Sequence, residues 1–568
     1  MTTGLLAARN GTSLSPADRC DEGISLIEDM MTKADADGIV VNLSGGIDSS
    51  TTAALAVEAV GATDVHGLCM PTLASTDENM QDAQMVADNL GIAYDTIEIQ
   101  PILDMFEDSL APRISPHGDR TAIGNVAARL RMACAYYAAN TTSSLVVGTS
   151  NRTERLLGYF TKYGDGGTDL LPLGDCYKTD VRRLARLVGV PTAIIEKPPT
   201  GGLWAGQTDK NELGASYQVL DPVFHQLVDT QRDVTTIAAA LHLEPADIRQ
   251  YMNRSVQTAH KRAPPTALSR RSITQMMTEA SNTATTASVI TGKRTHSQIR
   301  ERLTTFIENA VDDADAEGVV INMSGGIDSS VVAMLAVEAL GPDRVYGIIL
   351  PCGKATEAAT FDAVGLAETL GIDHTMMQLH PVVKLVEETL PSNLTEAATT
   401  RTHGNLVARL RMLCAYYAAN TMSRLVLGTT TRSEWLLGYF TKYGDGGVDL
   451  QPLIGLYKTD VRQLARKMGV PTEICEKTPT AGVRANQSDE TDFGMTYDVL
   501  DKLLWCLVDA NADVEYAAEE CGLDVETVKQ YAHKHIQTHH KRRYPPSPAM
   551  QKMDTSPTCF HELEMKFE

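Results

Sequence analysis

Apolar and polar positions along this chain fall into two alternating textures. Short apolar runs at Gly38-Ile-Val-Val-Asn-Leu43, Val65-His-Gly-Leu-Cys-Met70, Tyr94–Ile99 and Leu145-Val-Val-Gly148 read as strands. Between them, Thr51–Val60 and the segment Arg129–Asn140 (RLRMACAYYAAN) carry helical text. The succession then returns, with strands at Gly318-Val-Val-Ile-Asn-Met323, Val345-Tyr-Gly-Ile-Ile-Leu350 and Leu425-Val-Leu-Gly428 and a helix at Val331–Leu340. Strands alternating with helices predict an α/β fold with a doubly wound parallel sheet and ligands at the carboxyl ends of its strands.

The return is a duplication at constant spacing. Ser44 and Ser324 stand 280 residues apart, and the same offset carries Asn125 to Asn405, Glu154 to Glu434, Lys178 to Lys458 and His260 to His540. The stretch Leu156–Gly167, LLGYFTKYGDGG, recurs unchanged at Leu436–Gly447. A repeat this long is a whole domain rather than a solenoid unit. The expected organisation is a first unit over 16–265, a Thr-, Ser- and Ala-rich linker over 266–295, a second unit over 296–546 and an irregular tail over 547–568.

Charge and cysteine usage narrow the function classes. The net charge of −22 lacks the basic face that tracking a nucleic acid requires. The ten cysteines form no CxxC pair; Cys134 and Cys414 correspond and read as core thiols, while Cys176 faces Leu456 at its counterpart, against a catalytic thiol there. With no apolar stretch near 18 residues, the expectation is a cytoplasmic protein without a membrane partner.

Each unit's first strand runs straight into SGGIDSS, at Ser44–Ser50 and Ser324–Ser330. Paired glycines let the backbone approach an anion, and a helix start aims free N–H groups at it. An Asp in that loop, Asp48 or Asp328, would repel phosphate alone, so it implies a divalent cation between carboxylate and phosphates. The lysine of the common GxxxxGK[ST] loop is missing, which disfavours ordinary γ-phosphate chemistry.

SGGxDS is the loop of the N-type ATP pyrophosphatases, and the later motifs narrow the resemblance. Gly124–Met132 (GNVAARLRM), Gly148–Glu154 (GTSNRTE), Gly158–Asp169 (GYFTKYGDGGTD), Tyr177–Ala185 (YKTDVRRLA), Lys197–Thr200 (KPPT) and His260–Arg262 (HKR) occur in this order, and again in the second unit. Together they resemble NAD synthetase over roughly 20–262 and 300–543. The resemblance implies a Rossmann-like ATP pyrophosphatase fold and ATP-dependent amidation of deamido-NAD by ammonia, through an acyl-adenylate, with AMP and pyrophosphate released. It implies that Ser44, Gly45, Gly46, Ile47, Ser49, Thr149 and Thr200 bind ATP, with Ser324, Gly325, Gly326, Ile327, Ser329, Thr429 and Thr480 doing so in the second unit. Asp48 and Glu154, or Asp328 and Glu434, are implied Mg²⁺ ligands, with Lys178 and Lys458 as catalytic lysines on ATP. Arg129, Lys162, Asp169, His260 and Lys261, then Arg409, Lys442, Asp449, His540 and Lys541, are implied to bind deamido-NAD. Asp165 and Asp445 in the GDGG turn are candidates for collecting ammonium and taking its proton.

Only about twenty residues precede the first unit, so the expected nitrogen donor is free ammonia, or ammonia from a separate partner chain, rather than glutamine. Because relatives resemble homodimers that share residues between sites, the two units are expected to form an internal pseudo-dimer, with further homo-oligomerisation left open. The units differ after KxPT: Gln207-Thr-Asp-Lys210 stands against Gln487-Ser-Asp-Glu490, and Trp204 against Arg484. Two readings follow, one with both copies catalytic, the other with one copy a structural or regulatory nucleotide-binding module, the first copy being the better candidate for that passive role.

Overall fold

In the computed structural model, residues 14–115, 120–202, 204, 206–270, 273, 293–353, 357–478 and 488–549 are described. The first half holds four parallel strands, β1 (Gly38–Asn42), β2 (Val65–Cys69), β3 (Ala93–Thr96) and β4 (Ser144–Val147), in the order β3-β2-β1-β4. The chain steps outward from β1 to β3 and then returns to the other side of β1 as β4. That reversal leaves a crevice at the carboxyl end of β1, where SGGIDSS follows. Near-continuous apolar strands such as Ile39-Val40-Val41 are buried on both faces, as a helix-covered parallel sheet requires.

The second half repeats this with β6 (Gly318–Asn322), β7 (Val345–Ile349), β8 (Asp373–Met376), β9 (Arg424–Leu427) and β10 (Leu450–Gln451). Its sheet gains one strand from the other half. Thr266–Ala267, the opening of the expected linker, forms β5 beside β10, giving the order β5-β10-β9-β6-β7-β8. The reciprocal crossing comes from the far end of the chain, where the Leu171 N–H donates to the Pro546 carbonyl at 2.9 Å and the Ala549 N–H to Asp175 Oδ2 at 2.6 Å. Each half therefore closes over an arm that leaves the other. The second unit opens with a helix over Lys293–Asp313, which begins inside the expected linker.

Helices Arg120–Thr141 and Thr400–Thr421 pack against each other, and a continuous apolar core drawn from both halves surrounds them. Tyr137 and Tyr417 are among the largest fully buried side chains, and Phe106 meets Tyr417 edge-on at 5.0 Å. The paired tyrosines are thus packing residues at the contact between halves. No helix among the described residues is long and apolar enough to cross a membrane.

Candidate active site

The glycine loop is shaped by one close approach. Gly45 sits at φ +72°, and a Cβ there would lie 2.1 Å from the Asn79 carbonyl oxygen; Gly325 repeats this at φ +71° and 1.9 Å from Ala359 O. Only glycine fits. The helix that follows begins at Ile47, inside the motif rather than at Thr51, and its N-cap Gly46 offers no side-chain cap. The first-turn N–H groups therefore remain available to an anion, reinforced by the helix dipole. Ser49 Oγ donates to the Gly46 carbonyl at 3.0 Å and lies 3.1 Å from Ser44 Oγ, which fixes the loop's curl.

Asp48, in that first turn, meets Lys178 and Glu154. Lys178 Nζ lies 2.5 Å from Asp48 Oδ2 and 2.9 Å from Glu154 Oε1. Glu154 divides its carboxylate: Oε2 accepts the Asn151 N–H in a capping box, and Oε1 faces Lys178. The second half matches, with Lys458 Nζ 2.6 Å from Asp328 Oδ2 and 3.0 Å from Glu434 Oε1. Burial alone would push each lysine down, but the paired carboxylates override it and hold both ammonium groups above their usual range. Glu154 in the first cluster and Asp328 in the second are pushed up by burial, with the neighbouring carboxylate adding and the lysine opposing.

Asp209 and Asp489, which the motif reading did not single out, complete the charge balance. Asp209 is buried, accepts from Tyr217 OH at 2.7 Å and acts electrostatically on Lys178. Each cluster thus holds three carboxylates against one ammonium. This oxygen-rich, net-negative set fits a hard divalent cation, and Asp328 Oδ1 is buried with no partner among the described residues. The only earlier sign of Asp209 was the shared Q-x-D spelling. Asp221 and Asp501 also went unread: Asp221 accepts from Thr153 Oγ1 at 2.6 Å and the Thr179 N–H at 2.8 Å, fixing the helix start that carries Lys178.

Ser44, Gly46, Ile47, Asp48, Ser49, Thr149, Glu154, Asp165, Lys178, Thr200 and Lys261 line one open cleft of about 490 Å³ in the first half. Thr480 and Arg484 lie outside the described residues, while Lys210 is exposed on the short helix Asp209–Leu213. Asp165 Oδ1 accepts the Thr161 N–H at 2.8 Å and so closes the GDGG turn, with Asp445 doing the same for Thr441 at 2.7 Å. Burial raises both aspartates.

The remaining residues are not gathered copy by copy. Lys162 Nζ lies 2.6 Å from Asp449 Oδ1, and Lys442 Nζ lies 2.6 Å from Asp169 Oδ1. The grouping of Lys162 with Asp169 within one copy is therefore corrected: each lysine meets the aspartate of the other half. The cause is the two-helix contact, which brings the GYFTKYGD turns face to face, with Tyr163 and Tyr443 centroids 5.7 Å apart. Arg129 lies over the Tyr416 ring and donates from Nε to Lys162 O at 3.2 Å, and burial lowers it to about 10. His260 is lowered by burial and by Lys162. Lys261 donates to the carbonyls of Gly158 and Phe160 at 2.9 and 2.8 Å, and Lys541 repeats this on Gly438 and Phe440.

A family model described as NAD synthase matches residues 20–265 and again 299–545. The NH(3)-dependent NAD(+) synthetase of Thermococcus kodakarensis is 42% identical over 248 residues, 44% of this chain and 95% of that protein. That of Halobacterium salinarum is 43% identical over 255 residues, 44% of this chain and 92% of that protein. Among solved structures, NMN synthetase from Francisella tularensis is 34% identical, covering 43% of this chain and 96% of its own, at a TM-score of 0.38. NH3-dependent NAD synthetase from Campylobacter jejuni is 25% identical over 44% of this chain and 97% of its own, at a TM-score of 0.37.

Proposed function

The chain belongs to the NAD synthase family, as an ATP-binding ligase of NAD biosynthesis that carries the family's domain twice in tandem, and we propose that both halves turn over as ammonia-dependent NAD synthetases. The observation that carries this reading is the repeated cluster of Asp48, Glu154 and Lys178, reproduced within about 0.1 Å by Asp328, Glu434 and Lys458. The reaction begins with the nicotinate carboxylate of deamido-NAD attacking the α-phosphorus of ATP, which brings two anions together. The loop N–H groups at Gly46–Ser49 hold the phosphates, and Lys178 moves its ammonium toward the departing pyrophosphate. Asp48 and Glu154 would hold Mg²⁺, which supplies charge neutralisation on the phosphates. Thr149 and Thr200 line the same cleft and would contact ATP there. Ammonia then attacks the acyl carbon and AMP leaves, with Asp165 placed to collect ammonium and take its proton.

Arg129, Lys162, His260 and Lys261 of the first half, with Asp449 of the second, form the deamido-NAD end of one site. Arg409, Lys442, His540, Lys541 and Asp169 form the other. The two halves thereby act as an internal pseudo-dimer, a reading supported by the reciprocal Lys–Asp pairs and the exchanged arms. Two active copies are favoured over a passive first copy because the first half keeps Asp48 and Glu154 against Lys178, while Lys210 is exposed. Nine cysteines among the described residues are free, which supports a reducing cytoplasm.

The test is NAD formation by the purified chain from ATP, Mg²⁺, deamido-NAD and ammonium, with AMP and pyrophosphate in matching amounts. Pyrophosphate without NAD places adenylation here and ammonia delivery in a partner. Neither product sinks the assignment.

The lysines at the deamido-NAD end set the pH response. Burial lowers Lys261 and Lys541 to about 8 each. Below that value they are charged and attract the anionic substrate; as pH rises through it, the charge is lost. The kcat/KM for deamido-NAD, at saturating ATP and ammonia, is therefore expected to fall above about pH 8. A flat profile from pH 7 to 9.5 contradicts this.

A further inference from the structure

Each deamido-NAD site receives a support from the far end of the other half's central helix. Asn420, at the carboxyl end of helix Thr400–Thr421, presents Oδ1 to Arg129 Nη1 at 3.4 Å and to Asn125 Nδ2 at 3.4 Å. Asn140 does the same in reverse, accepting from Asn405 Nδ2 at 2.8 Å and from Arg409 Nη1 at 3.4 Å. The recipients are placed for function. Asn125 lines the cleft and accepts the Thr161 hydroxyl at 2.8 Å, and Thr161 opens the turn that carries Lys162 and Asp165. Arg129 is buried, with its Nε committed to Lys162 O and its guanidinium over the Tyr416 ring, and the bond from Nη1 adds a further restraint on how the guanidinium plane turns. The geometry points to Asn420 and Asn140 as positioning residues acting in trans, each fixing the arginine and asparagine that hold deamido-NAD in the site of the opposite half.

This rests on the proposed deamido-NAD site. It adds to the shared Lys–Asp pairs a second link, through which ordering one site acts on the helix end serving the other. The contact arises because the two helices run antiparallel, which sets the last turn of one beside the first half of the other. A single amide oxygen gathering two donors holds both in register more tightly than separate acceptors would, since moving either donor disturbs the shared point.

The test uses the full chain with one site silenced. Beside Asp328→Ala, where only the first site turns over, Asn420→Ala is expected to raise the KM for deamido-NAD about tenfold with kcat within about twofold. Beside Asp48→Ala, where only the second site turns over, the same substitution leaves that KM unchanged. Asn420→Asp, which keeps the acceptor oxygen, restores the KM to within about twofold. A purely structural role predicts equal effects in both backgrounds and no rescue by Asp, and that result overturns the proposal. So does an unchanged KM in an active Asp328→Ala/Asn420→Ala protein. Failure of the intact chain to bind deamido-NAD in a calorimeter overturns the functional reading beneath it, and is distinguishable because it precedes any substitution.

Discussion

Replacing Asp48 and Asp328 together by Ala is expected to lower NAD formation at least about a thousandfold, whereas either replacement alone leaves about half the activity per chain. Removing one group that stabilises transition-state charge typically costs about 10²–10³ in kcat. Here each carboxylate also orients the catalytic lysine, at 2.5 Å in the first half and 2.6 Å in the second. Folding is not expected to suffer, because each cluster holds three carboxylates against one ammonium and losing one relieves repulsion. Equal thermal midpoints in all three variants check that point. Turnover per chain at saturating substrates then separates the readings. Two working sites give two partial losses, and a single working site gives one complete loss beside one variant of full activity. A double variant that retains activity removes Asp48 and Asp328 from the chemistry.

The local part of this architecture was legible in the residues. Apolar runs ending at SGGIDSS marked β1 and β6, because a strand buried on both faces must be apolar throughout and its turn must then spare the backbone. Helix text misplaced only the start, at Thr51 instead of Ile47, since Asp48 and Ser49 look like loop residues although they suit a helix's first turn. What periodicity could not show was contact between the two halves. Lys162 and Asp449, 287 residues apart, carry no mutual sequence signal, and an offset of 280 pairs like positions with like rather than lysine with aspartate. The exchanged arms were hidden for the same reason, as β5 is two residues long and becomes a strand only because β10 offers an edge. Asp209 and Asp221 stand in no motif that marks them, and only burial beside Lys178 and Thr179 gives them a role.

The cross-half ion pairs carry the second large effect. Lys442→Met is expected to destabilise the protein by about 3–5 kcal/mol, because it strands the Asp169 carboxylate in a site that is more than nine-tenths buried. Burial there works to raise Asp169, and Lys442, His540, the hydrogen bond from Lys442 and the Val146 N–H hold it below its ordinary value of 3.8, with the Tyr136 hydroxyl also donating to Oδ1 at 2.9 Å. That lowering fixes the sign of the pH dependence. In the parent protein the pair contributes stability above pH 3.8, lost as pH falls through the native value of Asp169. In Lys442→Met the carboxyl is raised instead, so the native state takes up a proton before the unfolded chain does, and stability improves as pH falls from 7 toward 4. Between pH 7 and pH 5 the urea midpoint of the variant therefore rises relative to that of the parent, in which this pair contributes equally at both values. Lys442→Met/Asp169→Asn removes the stranded charge and is expected to recover about half of the loss, a coupling that independent sites would not show. Lys162→Met should behave alike through Asp449, which Lys162 holds low against burial in the same way. If neither lysine replacement lowers the unfolding free energy from urea titration by more than about 1 kcal/mol, the two halves do not depend on these pairs, and the internal pseudo-dimer loses its main electrostatic support.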